Sequence, residues 1–470
     1  MRTQPVTLVL LLAWSTAAFA QKPSGEATWL PEDATYALGG GGELSGKAWW
    51  VEIGDPQLTS VVAQGLEANH DLAAARERVV MADAAASQTL STVLPSAMFS
   101  VSSNTQPYDS LGFQFGGLPT SPGFEPPDLY HTGSATLSVS VPLDVFGRDT
   151  LGYRASRFDA EASRGDRDGV RSALAARIVS AYLDLVATRE QVDIATRQAQ
   201  SNEALLEVVE LQYELGIAGS LDVLQQRQQV ASIRTLLPQA RLAQRTAESQ
   251  LRILLALEDG APLPEVGTAL PELPTAPRTG VPADLLQSRP DLRAAEARLE
   301  SAERRRLSAI RSLLPTLAVS GQAGWQARYI DEFNTQDTWG LGASLTVPLV
   351  QGGRTHASIR QSRASAAASE HTYAAAVLQA VQDVETALHG EAERAEMLAA
   401  VRAQHEAARL AWEESRSQYT EGLIPYLSVL LALNSLHTAE LSELQSRRAL
   451  LGARIQLHSA LGGAWTEEGR

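Results

Sequence analysis

The sequence predicts an internally duplicated α+β membrane protein, whose few strands are completed by other copies of the chain into a tube. Three observations predict it. Residues recur in a fixed order: Asp71-Leu72, Ala74, Ala75, Arg78, Ala82, Leu94 and Pro95 return as Asp291-Leu292, Ala294, Ala295, Arg298, Ala302, Leu314 and Pro315. Short stretches with a period of two lie between helical stretches, and two helical stretches of unusual length carry no proline. Repetition is settled first because it decides the fold. Two strands per half are too few for a sheet of their own.

The matches continue beyond the first helix of each half. Val141-Pro142-Leu143 and Gly147-Arg148 recur as Val347-Pro348-Leu349 and Gly353-Arg354. Gln212-Tyr213 with Gly216 recurs as Gln418-Tyr419 with Gly422, and Gln250-Leu251 as Gln456-Leu457. Each half reads helix, two strands, very long helix, turn, long helix.

Residues 1–20 read as a secretory signal: Arg2 supplies positive charge, residues 6–13 are apolar, and Ala18-Phe19-Ala20 precedes Gln21. The apolar run is far short of the roughly 20 residues a spanning helix needs. The 470 residues include no cysteine, which excludes disulfides, thiolate metal sites and a lipidated cysteine. The net charge of −15, with basic residues dispersed among Asp and Glu, argues against a nucleic-acid partner.

Residues 21–68 form a lead, irregular to about 48, with a short amphipathic segment from Trp49-Trp50. The first repeat spans 69–257, and its first helix runs over about 69–94 until Pro95 stops it. Strands follow over about 96–106 and 131–143, where Ala97, Phe99 and Val101, then Leu137, Val139 and Val141, alternate with polar residues. The second repeat spans 289–461, with strands over about 316–327 and 338–350. Strands of about ten residues, apolar on one side, suit a membrane barrel. A half-buried strand of a soluble sheet has the same alternation. Aromatic residues beside the strands (Tyr108, Phe113, Phe115, Tyr130, Trp325, Tyr329, Phe333, Trp339) fit a membrane–water boundary or simple loop packing. The connecting loops are 107–130, with five prolines, and 328–336.

The long helices span about 149–215 and 354–421. In the first, Leu174, Ile178, Ala181, Leu185, Val192, Ala195, Ala199, Leu206, Val209 and Tyr213 mark a heptad seam, interrupted by Thr188 and Asn202. About 65 residues of helix reach roughly 100 Å. Gly216 and Gly422 end these helices in the left-handed conformation that glycine tolerates. Return helices run over 221–257 and 427–461; a Pro-rich linker, 258–288, joins the repeats, and 462–470 is a tail.

No constellation for chemistry emerges, so no catalytic, cofactor or metal residue is assigned. Residues 41–47 have the Gly-x-x-x-x-Gly-Lys spacing of a phosphate loop, but Ala48 stands where Ser or Thr would hold magnesium. The eight histidines lack metal-ligand spacing, and Gly-x-Ser-x-Gly is absent.

Trp49-Trp50, Gly54-Asp55-Pro56, Leu58, Asn69-x-Asp71-Leu72 and Leu94-Pro95 resemble the opening of the TolC-like outer-membrane factors of tripartite efflux systems. The branch most resembled works with resistance-nodulation-division pumps. Arg289-Pro290-Asp291-Leu292-x-Ala294-Ala295-Glu296 and Tyr213-x-x-Gly216-x-x-x-Ser220-x-Asp222-Val223-Leu224 resemble signatures of that branch. Gln21 stands where some members carry a lipidated Cys, so no acyl anchor is expected.

The resemblance implies a homotrimer, with four strands per chain in a 12-stranded outer-membrane β-barrel and a coiled-coil tunnel in the periplasm of a Gram-negative bacterium. It implies a passive exit duct for small molecules, not an enzyme, working with a periplasmic adaptor (membrane fusion) protein, an inner-membrane resistance-nodulation-division pump and outer-membrane lipid. Tyr213, Gly216, Ser220, Asp222, Tyr419 and Gly422 are then the tip residues expected to gate the tunnel and dock the adaptor, with an Asp222–Tyr419 hydrogen bond as a closing contact. Arginine beside the second tip, frequent in the family, is replaced by Leu423-Ile424-Pro425, and Ser428 stands where some members place an acid. Two alternatives stay open: a duct for a type I protein secretion system, and a soluble periplasmic coiled-coil scaffold.

Overall fold

The starts and stops of the elements follow local chemistry. The computed structural model describes residues 48–107, 129–258, 260–273, 284–329 and 333–463. The signal segment, most of the lead, the phosphate-loop-like residues 41–47, the aromatic residues Tyr108, Phe113 and Phe115, and residues 464–470 lie outside the described residues. A 3-10 turn, Trp49–Ile53, leads into α1 (Pro56–Ala68), capped by Asp55, whose Oδ1 accepts from the N–H groups of Gln57 (2.8 Å) and Leu58 (3.1 Å). Asn69 caps α2 (His70–Ser91) in the same way, its Oδ1 accepting from Asp71 N–H at 2.9 Å.

The strands β1 (Ser96–Pro107) and β2 (Leu129–Leu143) come next, then α3 (Arg148–Glu214), of 67 residues, and α4 (Ser220–Leu254). The one-turn α5 (Leu285–Ser288) opens the second series, followed by α6 (Pro290–Arg311), β3 (Thr316–Tyr329), β4 (Phe333–Thr346), α7 (Arg354–Thr420), again 67 residues, and α8 (Tyr426–Ala460). At 1.5 Å per residue each long helix carries the chain about 100 Å from the sheet. No described helix is long and apolar enough to cross a membrane.

The four strands form one antiparallel sheet in the order β1-β2-β3-β4, so the two repeats meet at β2 and β3. The register makes the faces chemically distinct. Met98 pairs with Ser138, which pairs with Gln322, which pairs with Gly340; one step along, Phe99, Leu137, Ala323 and Trp339 form the adjacent row. Because side chains alternate, one face gathers Ser100, Ser102, Ser134, Thr136, Gln322 and Thr338, and the other gathers Phe99, Val101, Leu137, Val319, Trp325 and Leu341. Trp339 and Leu341 on the apolar face are 79% and 82% exposed, which water alone would not favour. Among the described residues the outer edges of β1 and β4 have no partner strand.

Two strand boundaries differ from expectation. The stretch 328–336, expected as a loop, is largely strand: Arg328 pairs with Asn334 and Tyr329 with Phe333. The last strand, expected to reach 350, ends at Thr346, since Pro348 lacks the N–H that a ladder requires.

Around the middle of the long helices, Trp49, Leu58, Val62, Leu72, Ile178, Tyr182, Leu185, Leu251 and Leu255 form the largest buried cluster. A smaller one joins Leu285, Leu292, Val377, Val384 and Leu457. The linker is tied to the helices: Tyr182 Oη donates to Asp55 Oδ2 (2.7 Å) and accepts from Gly267 N–H (2.9 Å), and Arg447 donates to Leu270 O (3.1 Å). Gly165 lets α3 touch α6, for a Cβ there would lie 2.9 Å from Ala294 Cβ and from Pro290 O.

Candidate functional site: the helix tips

Both long helices end in the same turn. At the first, Gly216 adopts φ +76°, and Ile217 N–H bonds back to Gln212 O at 2.8 Å. At the second, Gly422 adopts φ +76°, and Leu423 N–H bonds to Gln418 O at 2.9 Å. This left-handed cap satisfies helix carbonyls that would otherwise face nothing. It reverses the chain from α3 into α4 and from α7 into α8.

The two return helices start differently. Asp222 Oδ2 accepts from the Gly219 N–H at 3.1 Å, closing the start of α4. Pro425 holds the place of Gly219 in the second tip, and proline has no N–H to satisfy. An acid in place of Ser428 would therefore lack the N-cap N–H that Asp222 uses in the first tip.

The expected tip residues separate into two groups. Tyr213, Gly216, Ser220 and Gly422 are exposed in the single chain. Tyr419 is buried, in a cluster with Leu205, Val209, Val223, Tyr426, Val429 and Leu433 that joins both hairpins. Asp222 lies close enough that its charge, after burial, helps push the Tyr419 phenol above its ordinary range. Yet the expected Asp222–Tyr419 hydrogen bond is absent within the chain. Asp222 bonds to Gly219, and the Tyr419 hydroxyl is buried with no partner.

Tyr426, which the sequence reading did not single out, makes the cross-hairpin bond instead. Its hydroxyl donates to Gln226 Oε1. Gln226 Nε2 donates to Asn202 O at 2.7 Å, and Gln198 Nε2 donates to Glu440 at 2.8 Å and to His437 O at 3.2 Å. Burial pushes the His437 imidazole below its ordinary range, against the pull of Glu440. Ion pairs near the tip, Arg227–Glu210 at 2.8 Å and Arg234–Glu203 at 2.7 Å among them, stay within one hairpin. Among the described residues no arginine bridges the two tips, and no group of His, Asp or Glu could hold a metal ion.

The seam expected along α3 needs correction at this end. Asn202, taken as an interruption, is fully buried, as is Gln198, while Tyr213 is 51% exposed. The buried line near the tip runs through Ala195, Gln198, Asn202, Leu205 and Val209. Polar residues at seam spacing were the signal available for Gln198 and Gln226.

A sheet with one apolar and one polar face, carried on helices some 100 Å long that turn back at a tip, is the architecture of an outer-membrane channel with a periplasmic tunnel. Residues 61–257 and 281–463 match the family described as Outer membrane efflux protein, and the chain belongs to that family. It is 31% identical to the pyoverdine export outer membrane protein OpmQ of Pseudomonas aeruginosa, over 98% of this chain and 97% of that one. It is 28% identical to the toluene efflux pump outer membrane protein TtgF of Pseudomonas putida, over 89% of this chain and 85% of the relative. The outer-membrane channel OprN superposes with a TM-score of 0.82 at 25% identity, covering 93% of this chain and 98% of that chain. The Campylobacter jejuni CmeC outer membrane channel has the same fold, at 19% identity and a TM-score of 0.82.

The fold is thus that of trimeric channels, in which three copies of the four-stranded sheet close a barrel in the outer membrane of a Gram-negative bacterium. Closure removes the free edges of β1 and β4. The soluble-scaffold alternative is set aside by this membership. The family is one of efflux channels rather than enzymes.

Proposed function

We propose that this outer-membrane efflux protein is a passive duct whose closed end is the ring of helix tips. It opens when those tips splay outward as a periplasmic adaptor protein docks, while an inner-membrane resistance-nodulation-division pump supplies the energy. The observation that carries this reading is the Tyr419–Tyr426 cluster. It joins the two hairpins at the far end of helices that begin at the sheet, and so can govern the tunnel's width there. Asp222, Ser220, Gly216, Gly422, Tyr213 and Tyr419 are the gate and docking residues in this reading. Residues 1–20 direct export, 69–257 and 289–461 are the two repeats, and 21–68, 258–288 and 462–470 form a belt around the tunnel.

The cargo is a class of small molecules. The polar barrel face carries Ser, Thr and Gln side chains, which suit a wet channel and select weakly. The relatives' cargoes, pyoverdine and toluene, differ in size and polarity, which agrees with selection upstream of the duct.

The test is single-channel conductance of the detergent-purified protein in a planar bilayer, wild type beside Asp222→Ala with Tyr426→Phe. A small wild-type conductance that rises in the double variant is expected. A wide wild-type pore that the variant leaves unchanged would place the constriction elsewhere.

A further inference from the structure

Between the tip and the middle of the molecule, the seam joining the hairpins changes character. The tip cluster reaches as far as Leu205 on α3 and Leu433 on α8. The equatorial cluster resumes at Ile194 on α3 and Leu444 on α8. The layers between them hold Gln198, Asn202, Gln226 and His437, buried to relative exposures of 2%, 0%, 0% and 7%. At this level buried apolar packing continues within the second hairpin, where Leu436 and Ala439 of α8 meet Ala408 of α7, while across the hairpins Gln198 meets His437 O and Glu440.

The amide N–H donors identified here have partners, and the acceptors do not all have them. Gln198 Nε2 serves His437 O and Glu440, Asn202 Nδ2 donates to Gln198 O at 2.8 Å, and Gln226 Nε2 donates to Asn202 O. Left over, buried and unpaired, are Gln198 Oε1, Asn202 Oδ1 and His437 Nδ1. A neighbouring copy cannot reach these atoms, because this chain itself encloses them. What complements two amide oxygens and an imidazole nitrogen is a small polar partner, and water both donates and accepts in the smallest volume.

We propose that Gln198, Asn202 and His437 hold internal water in this seam, and that the wet layer is the hinge at which the tip cluster parts from the equatorial core. The hinge role rests on the tip-gate reading; the water does not. Parting a dry apolar layer exposes area that water disfavours. A layer whose acceptors already bond to water gives up little when more water enters. The tip can then rearrange as a unit while the Tyr182 region stays packed.

Hydroxyl-radical footprinting of the detergent-purified trimer reads the water directly, because radicals generated within a protein label side chains beside internal water. Label at His437 is expected, with little at the comparably buried Tyr182 in the equatorial cluster. His437 as unlabelled as Tyr182 would overturn the water site. Hydrogen exchange reads the hinge: wild-type segments 203–212 and 426–436 should exchange at least about tenfold faster than 178–190. In the variant Gln198→Leu, Asn202→Leu, His437→Leu that excess should shrink about tenfold. Should the triple variant not assemble, Asn202→Leu alone is read for a smaller change in the same direction. Equal wild-type rates on the two sides of the layer, or rates the substitutions do not change, would overturn the hinge. Neither readout depends on conductance, so a failed hinge leaves the duct reading to its own test.

Discussion

Tyr426 at the start of α8 donates its hydroxyl to Gln226 on α4, so the two hairpins of one chain are hydrogen-bonded to each other inside the tip. The bond is buried on both sides. Tyr426→Phe removes the donor and strands an amide oxygen, at a cost of about 1–3 kcal/mol. A lower denaturation midpoint, by circular dichroism in detergent, is expected together with a larger channel conductance. An unchanged midpoint would mean that another donor takes the place of the phenol.

Tyr419 lies beside it, ring centroids 6.1 Å apart at 63°, and behaves in the opposite way. Its hydroxyl is already buried without a partner, so Tyr419→Phe removes an unmet desolvation penalty and is expected to be neutral or stabilising. A loss of about 1 kcal/mol or more would instead reveal a partner inside the chain, such as a buried water or a rearranged side chain.

Glu391 and Arg454 form a bidentate pair in the second hairpin, with side-chain exposures of 13% and 3%. Glu391→Leu removes both carboxylate bonds from a guanidinium that is 3% exposed and should cost up to about 3–5 kcal/mol. Replacing both residues by Leu is expected to restore most of that loss. Thermal dissociation of the trimer on gels compares the three proteins, and equal losses in the single and double variants would refute the account.

His458 stacks on Trp49, ring centroids 5.2 Å apart and 15° from parallel. Burial, and then the charge of Arg454, push its imidazole down from 6.5 to about 4. The unfolded chain therefore binds a proton near pH 6.5 that the folded chain refuses until about pH 4. This contribution to stability is complete above pH 6.5 and declines as the pH falls from there toward 4. Denaturant midpoints of wild type and His458→Phe, taken between these values, should diverge, with the variant less sensitive to acid. Parallel profiles would remove His458 as the cause.

The two faces of the sheet predict opposite tolerance. Leu341→Arg on the apolar face is expected to cost up to about 2–4 kcal/mol near the bilayer midplane. Ser138→Arg on the polar face should leave stability nearly unchanged and alter ion selectivity instead. Folding equilibria in lipid vesicles and reversal potentials in planar bilayers measure the two effects.

Much of this protein is written locally in its sequence. The duplication, the period-two strands after Pro95 and Pro315, the caps at Asp55 and Asn69, and the glycines that reverse the chain at 216 and 422 all depend on a few adjacent residues. Capping, proline chemistry and side-chain alternation act over one turn or one strand, so they are legible without the fold. What only the tertiary structure decided is which face of each long helix meets which neighbour. Near the tip the buried line of α3 is shifted by one residue from the expected seam, through Gln198 rather than Ala199 and Leu205 rather than Leu206, because α4 and α8 cover that face. That shift turned Asn202 from an interruption into part of the core and left Tyr213 outside it. The unpaired hydroxyl of Tyr419 and the bond from Tyr426 to Gln226 follow from the same packing. The last of these joins residues that lie close in space but, across the hairpins, 200 positions apart in the chain.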